Sequence, residues 1–213
     1  MDQEFSQRAW NEVGPILERI KAHPFLTGLA DGTLPHEMFM TYIRQDRVYL
    51  RANAEETSLL ADMLPDGELK EIFRRTAIES IQAEKDMQEM LGVRDDEPIE
   101  PMEATIGYIR HTRSIIDSGD LAMSLAAMLP CQWVYDHIGR YILLHEKTPN
   151  PYHEWISCYT TEAMGRSTML TIQLTDEMAR RTSPERQEKM LQAFVRSTLW
   201  EYEFWDQAYR RHI

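Results

Sequence analysis

The chain has 213 residues, enough for one domain with a sizeable core. Its formal net charge of −12 argues against nucleic-acid partners and anionic membrane surfaces, because both are bound through Lys and Arg, which here form only short pairs such as Arg74-Arg75 and Arg180-Arg181. No apolar run approaches membrane-spanning length, the first residues carry no export signal, and two cysteines make no disulfide framework, so a cytoplasmic protein with reduced thiols is expected.

Helical periodicity dominates, and no stretch reads as a strand. A first helix is predicted over Phe5 to Lys21, with Gly14-Pro15 as a kink or restart. Pro24 follows, and Gly28 to Gly32 read as a loop. Pro35 opens a second helix that reaches about Leu60, and Pro65-Asp66-Gly67 is a turn. A third helix covers about Glu68 to Leu91. An acidic connection over Arg94 to Pro101 leads into a fourth that ends near Ser118-Gly119. Asp120 can cap a fifth helix that is kinked at Pro130 and reaches about Glu146. A turn at Thr148 to Pro151 precedes a sixth helix interrupted around Gly165. Ser183-Pro184 starts the last, which runs to about Arg211. There are no repeats, no low-complexity tracts and no long linker, so residues 1–213 are expected to form one all-α domain, a helical bundle with ligand sites between facing helices.

The informative residues are polar groups where the pattern wants hydrocarbon. In the second helix Phe39, Tyr42, Ile43, Leu50 and Ala54 share a face, and Asp46 lies within it, three residues before Tyr49. In the last helix Glu201 lies among Met190, Phe194, Phe204, Trp205 and Ala208. In the fifth helix Cys131 falls on the stripe of Leu125, Met128 and Tyr135, and in the sixth Tyr159 follows Tyr152, Trp155 and Ile156. Each has a plain structural reading: an ion-paired carboxylate, a small buried thiol, a phenol with a satisfied hydroxyl. A thiol just past a helix break also has a functional one, since a helix N-terminus favours the thiolate. Together, a thiol, two carboxylates and several phenols on separate helices fit a pocket that hydrogen-bonds a polar heterocycle and attacks it with sulfur.

A metal centre is not expected. Glu-x-x-His and Asp-x-x-His are absent, the seven histidines are scattered, and Cys131 and Cys158 form no zinc pattern. There is no glycine-rich phosphate loop.

In order, His23-Pro24-Phe25, Gly32-Thr33-Leu34-Pro35, Gln45-Asp46 with Tyr49, Leu129-Pro130-Cys131-Gln132-Trp133 with Tyr135, Trp155-Ile156 with Tyr159, and Glu201-Tyr202 with Phe204-Trp205 resemble the thiaminase II (TenA) family over nearly the whole chain. The resemblance implies a heme-oxygenase-like helical bundle without heme, needing no cofactor and usually a homotetramer. It implies hydrolysis of 4-amino-5-aminomethyl-2-methylpyrimidine to the hydroxymethyl pyrimidine, with weaker cleavage of thiamine, in thiamine salvage. It assigns Cys131 as nucleophile and Glu201 as acid/base. Asp46 would hold the aminopyrimidine edge, and Tyr49, Tyr108, Tyr135 and Tyr159 would shape the pocket. One departure stands out: many members carry a histidine about a turn after a glutamate in the third helix, whereas Glu84 is followed here by Lys85-Asp86-Met87-Gln88. That touches local packing, an oligomer contact or the preferred amine rather than the reactive set.

Two other functions compete. A regulatory protein is disfavoured by the acidic surface and the lack of a basic recognition helix. A cofactor-free oxidase of the pyrroloquinoline quinone type would want His and Arg on the inner faces, where Asp46 and Glu201 stand instead.

Overall fold

A computed structural model describes residues 3–94 and 98–212. They form α1 (Phe5–Lys21), α2 (Pro24–Asp31), α3 (His36–Met63), α4 (Glu68–Met90), α5 (Glu103–Ile116), α6 (Leu121–His145), α7 (His153–Cys158), α8 (Glu162–Arg180) and α9 (Pro184–Arg210), with no strand among the described residues. Amphipathic stripes drive the assembly: α1, for example, buries Phe5, Ala9, Val13, Leu17 and Ile20 along one side. α6 and α9 lie side by side at the centre, flanked by α1, α5 and α8. α3 and α4 are an antiparallel pair, with Arg47 reaching Gln88 at one end and Leu60 meeting Phe73 at the other. α4 packs along α3 and makes no comparable contact with another helix. The apolar interior divides into a large cluster around α1, α2, α6 and α9 and a smaller one of Leu60, Ala61, Leu64, Phe73, Ile116, Leu125, Met128 and Leu174. No described helix is long and apolar enough to cross a membrane.

Two details differ from the sequence expectations, and two helices continue through their prolines without a restart, each for a local reason. Residues 28–31, read as loop, continue a short helix. The His23 side chain caps it by accepting from Phe25 N (3.1 Å), Pro24 opens it, and Gly32 closes it at φ 69°. α1 runs unbroken through Gly14-Pro15, because the carbonyl that Pro15 leaves unpaired belongs to exposed Asn11 and faces water. α6 also continues through Pro130 instead of restarting. There the neighbouring carbonyl of Ala127 accepts from Ser197 Oγ at 2.6 Å, so α9 supplies a bond where the proline disturbs the ladder. Finally, the break between α7 and α8 falls at residues 159–161, where Thr161 caps α8 by accepting from Met164 N (3.2 Å), and Gly165 lies inside α8. Of the acidic connection before α5, residues 95–97 lie outside the described residues.

Several quoted motif residues brace the bundle. Gln45 Oε1 accepts from Met102 N (2.8 Å) and Thr105 Oγ1 (2.8 Å), and Gln207 Oε1 accepts from Ala104 N (3.0 Å), which satisfies the first turn of α5. His23 Nε2 meets Asp206 Oδ1 at 3.2 Å, and Arg210 holds the other oxygen at 2.8 Å, fixing α2 to α9. Gly107 of α5 lies so close to Trp200 of α9 that a Cβ there would stand 2.3 Å from the indole ring.

Candidate active site

A cavity of about 320 Å³ runs between the α3–α4 pair and α6, α7 and α8. Asp46 and Tyr49 of α3, Cys131 and Tyr135 of α6 and Tyr159, at the C-terminal end of α7, all line it. Glu201 and Tyr108 do not. They lie buried just behind the wall, where Glu201 is in electrostatic contact with Cys131, Tyr49 and Tyr135. The Tyr108 hydroxyl donates to Glu201 Oε1 at 2.6 Å, and its ring stacks on Tyr49 with centroids 4.6 Å apart. The seven expected residues therefore form one constellation in two layers.

The helix registers explain the convergence. Asp46 and Tyr49 are three residues apart on α3, and Cys131 and Tyr135 four apart on α6, so each pair shares a helix face. The Ser197–Ala127 bond lies one turn before both Glu201 and Cys131 and sets the two helices against each other at that level. The bracing of the first turn of α5 by Gln45 and Gln207 holds Tyr108 one turn further on.

Burial sets the protonation states. Glu201, 2% exposed, is pushed up to about 8, chiefly by loss of hydration, with the Tyr108 hydrogen bond pulling back and Asp46 adding repulsion. Asp46 rises to about 7, again chiefly by burial, then by repulsion from Glu84, against a hydrogen bond from Tyr42. The Cys131 thiol is also pushed well up, by burial and then by Glu201. The helix start that would favour a thiolate is missing, since α6 runs on through Cys131, and burial and Glu201 both favour the thiol, in line with the plain reading of a small buried thiol. At neutral pH Glu201 and the thiol hold their protons, while Asp46 is poised between its two forms, so the site carries an acid at Glu201 and an available acceptor at Asp46.

Two further residues belong to the constellation. Tyr42 sits four residues before Asp46, its hydroxyl 2.8 Å from that of Tyr135, and it links the Asp46 carboxyl to Tyr135 and Tyr159. Its place on an apolar stripe hid this role, although the four-residue step to Asp46 pointed to it. Glu84 lines the cavity, 4% exposed, hydrogen-bonded by Gln88 and 3.5 Å from Arg51 Nε. The signal was readable: Phe73, Ala77, Glu84 and Gln88 fall on the single buried face of α4. Cys158 also lines the cavity, beside Tyr159, with its thiol donating to Glu154 O at 3.3 Å. Among the described residues, no three His, Cys, Asp or Glu side chains converge so as to hold a metal ion.

Fold and site together define an all-helical protein whose chamber presents a thiol, a carboxyl and a wall of phenols, with a second carboxyl buried just behind. The chain belongs to the TENA/THI-4/PQQC family, which matches residues 10–211. It is 31% identical over 215 aligned positions to the aminopyrimidine aminohydrolase of Bacillus subtilis strain 168, covering 98% of this chain and 91% of that one. Among solved structures, the TenA homologue protein from P. horikoshii OT3 superposes with a TM-score of 0.88 at 21% identity, over 98% of this chain and 99% of that one. A protein with a heme oxygenase-like fold from Shewanella denitrificans OS217 superposes at 0.74 and 14% identity, over 95% and 90% of the two chains. The fold is the heme-oxygenase-like bundle that the sequence resemblance implied.

Proposed function

We propose that the protein is an aminopyrimidine hydrolase of thiamine salvage, converting 4-amino-5-aminomethyl-2-methylpyrimidine to its hydroxymethyl counterpart, with cleavage of thiamine as a side activity. The observation that carries this reading is the meeting of Asp46, Cys131 and Glu201 around one chamber. The B. subtilis relative's name supports the substrate class.

The exocyclic amine leaves poorly while the ring is aromatic. Addition of the Cys131 thiol across a ring C=N bond puts sulfur on carbon and its proton on nitrogen, which breaks the aromaticity. The C–N bond of the side chain then breaks, and the departing nitrogen keeps the electron pair and takes the proton of Glu201. Water adds to the exposed methylidene carbon and gives a proton back to Glu201. Sulfur departs, regains its proton from the ring nitrogen, and the ring is restored. A carboxyl raised to about 8 holds the required proton at neutral pH. The path from Glu201 to the methylene runs past Cys131 and Tyr49, the cavity residues with which it interacts. Asp46 accepts hydrogen bonds from the amino group and a protonated ring nitrogen together. Tyr42, Tyr135 and Tyr159 fix its orientation, and Tyr49 flanks the ring.

Among the described residues the cavity wall carries no histidine or arginine, which favours the hydrolase over an oxidase built to bind carboxylates. Residues 1–213 act as one domain, and the protein works as a cytoplasmic homotetramer, as the TenA resemblance implies. Light scattering on the purified protein tests the assembly. The deciding experiment incubates the purified protein with the aminomethyl pyrimidine and with thiamine separately. Appearance of hydroxymethyl pyrimidine supports the proposal, and its absence from both overturns it.

A further inference from the structure

We infer that Glu84 is a second anionic contact of the pyrimidine subsite: it faces the same end of the cavity as Asp46 and stabilises the positive charge of a ring-protonated aminopyrimidine, so that the site selects heterocycles basic enough to take up a proton on ring nitrogen. This rests on the hydrolase reading and extends it to the charge state in which the substrate is held.

The placement follows from the register of two helices. α3 and α4 are antiparallel, and Arg47 Nη1 donates to Gln88 Oε1 at 3.3 Å. Asp46 is the residue before Arg47 and Glu84 lies one turn before Gln88, so the two carboxyls come to the same level. Both line the cavity, 8% and 4% exposed, and they are close enough to repel each other. Gln88 Nε2 donates to Glu84 Oε1, and Arg47 is held in turn by the Arg94 carbonyl at 2.6 Å, which fixes the Glu84 side chain. Arg51 Nε stands 3.5 Å from Glu84 Oε2, but the Arg51 side chain is 42% exposed and does not line the cavity, so water screens its charge.

Among the described residues, the cavity wall carries these two carboxyls and no lysine, arginine or histidine. A hollow with low-dielectric walls and charge of one sign focuses its field and favours an occupant of the opposite sign. Two carboxyls facing one space do not both ionise freely, and Asp46, raised to about 7, is the one that retains a proton into the neutral range. The groups that meet Asp46 from its own helix and from the others are Tyr42, Tyr135, Tyr159, Cys131 and Glu201. They are phenols, a thiol and a protonated acid, and none brings a positive charge.

A 4-aminopyrimidine is an amidine: its amino group feeds electrons to the ring nitrogen, and a proton taken up there spreads its charge over both. With the amino edge on Asp46, the ring nitrogen takes the Asp46 proton, and the repelling pair of the empty cavity becomes a pair that flanks a cation. Protonation also makes the ring carbon a better acceptor for sulfur. When the Cys131 sulfur adds, the thiol proton passes to Asp46, so the net change is addition of the thiol across the C=N bond and no co-reactant is needed.

The test measures binding, apart from turnover. The probes are 4-amino-5-hydroxymethyl-2-methylpyrimidine and 2-amino-4-methylbenzyl alcohol, which has the same outline with carbon in place of both ring nitrogens and takes up no ring proton. The wild-type protein is expected to bind the pyrimidine more tightly. Glu84→Gln should lower the ratio of the two affinities by about tenfold, the size of a one-unit change in the ring pKa. Glu84→Asp keeps the charge and should keep most of the ratio, with circular dichroism checking the fold of each variant. A pyrimidine labelled with nitrogen-15 in the ring gives a second readout that needs only the wild-type protein: bound at about pH 8, its resonance should lie where the protonated ring resonates. Equal wild-type affinity for the two probes, a ratio unmoved in folded Glu84→Gln, or a neutral bound ring overturns the role of Glu84 and leaves the hydrolase reading standing. Failure of the wild-type protein to bind the pyrimidine at all overturns both.

Discussion

The Tyr108 hydroxyl donates to Glu201 Oε1 at 2.6 Å, and both residues are buried behind the cavity wall. The bond favours the ionised carboxylate and so works against the burial that raises this group to about 8. Tyr108→Phe is therefore expected to raise the Glu201 pKa further, by about one unit for a hydrogen bond to a charged group. The alkaline limb of the kcat profile should move up in pH while kcat itself falls. An unmoved limb would mean that Glu201 is not the group being titrated.

Cys131→Ser should lower kcat by on the order of 10³-fold or more, as losses of a nucleophile do, and Glu201→Gln by about 10²–10⁴-fold, as losses of a general acid do. Thermal melting should show both variants folded. Activity near wild type in Cys131→Ser would rule out addition of sulfur to the ring.

Cys131 and Glu201 are also coupled through charge: ionised Glu201 holds the thiol pKa up. In a Cys158→Ala background, which removes the other thiol, Glu201→Gln should lower the Cys131 pKa. The rate of alkylation by iodoacetamide above pH 8 is the measurement, with faster reaction in the variant as the expected outcome.

Stability should depend on pH with an unusual sign. The folded pKa values of Asp46 (about 7) and Glu201 (about 8) lie above their ordinary values of 3.8 and 4.5. Below the ordinary values both states are protonated and the full stability is present. Between about pH 4 and pH 8 the unfolded chain releases protons that the folded chain retains, so stability falls as pH rises. Glu201→Gln removes its share of that loss. It should melt near the wild type at pH 4 and above it at pH 8.5, by a few kcal/mol, since a one-unit pKa difference corresponds to about 1.4 kcal/mol. Equal pH dependence in the two proteins would show that Glu201 is hydrated and ordinary.

Gly107→Ala offers a test of how Tyr108 is placed. Its Cβ would meet the Trp200 ring at 2.3 Å, so α5 must back away from α9 beside the Tyr108–Glu201 bond. A loss of about 1–3 kcal/mol is expected from overpacking, with a fall in kcat alongside. Denaturant unfolding and steady-state kinetics on the same preparation measure both.

The reactive set was legible because its members break a pattern. Asp46 and Glu201 interrupt apolar stripes, and an acid on such a stripe is costly enough to require a reason. Tyr42 and Glu84 escaped for opposite causes. A phenol on a stripe looks like ordinary core, and Glu84 belongs to a helix with exposed acids on its other faces, so its burial shows only when its spacing from Phe73, Ala77 and Gln88 is followed along α4. The helix order was readable from prolines and caps, but their exact effect was not. Pro130 and Pro15 break helices in isolation, and here Ser197 from a distant helix and solvent at Asn11 compensate them, neither of which periodicity can express. The thiol's character went the same way: a local argument from Pro130 pointed to an anion, while the surroundings supplied by other helices keep it protonated.

The reactive groups and the outer wall of their chamber belong to different parts of the bundle. Cys131, Glu201 and Tyr108 stand on α5, α6 and α9, which pack on one another, whereas Thr76, Ser80 and Phe73 stand on α4, which leans on α3. A side wall attached in this way can be re-papered by substitution while the reactive groups keep their spacing. A substitution on α4 thus reshapes the space beside Cys131 without pulling on the helices that carry it.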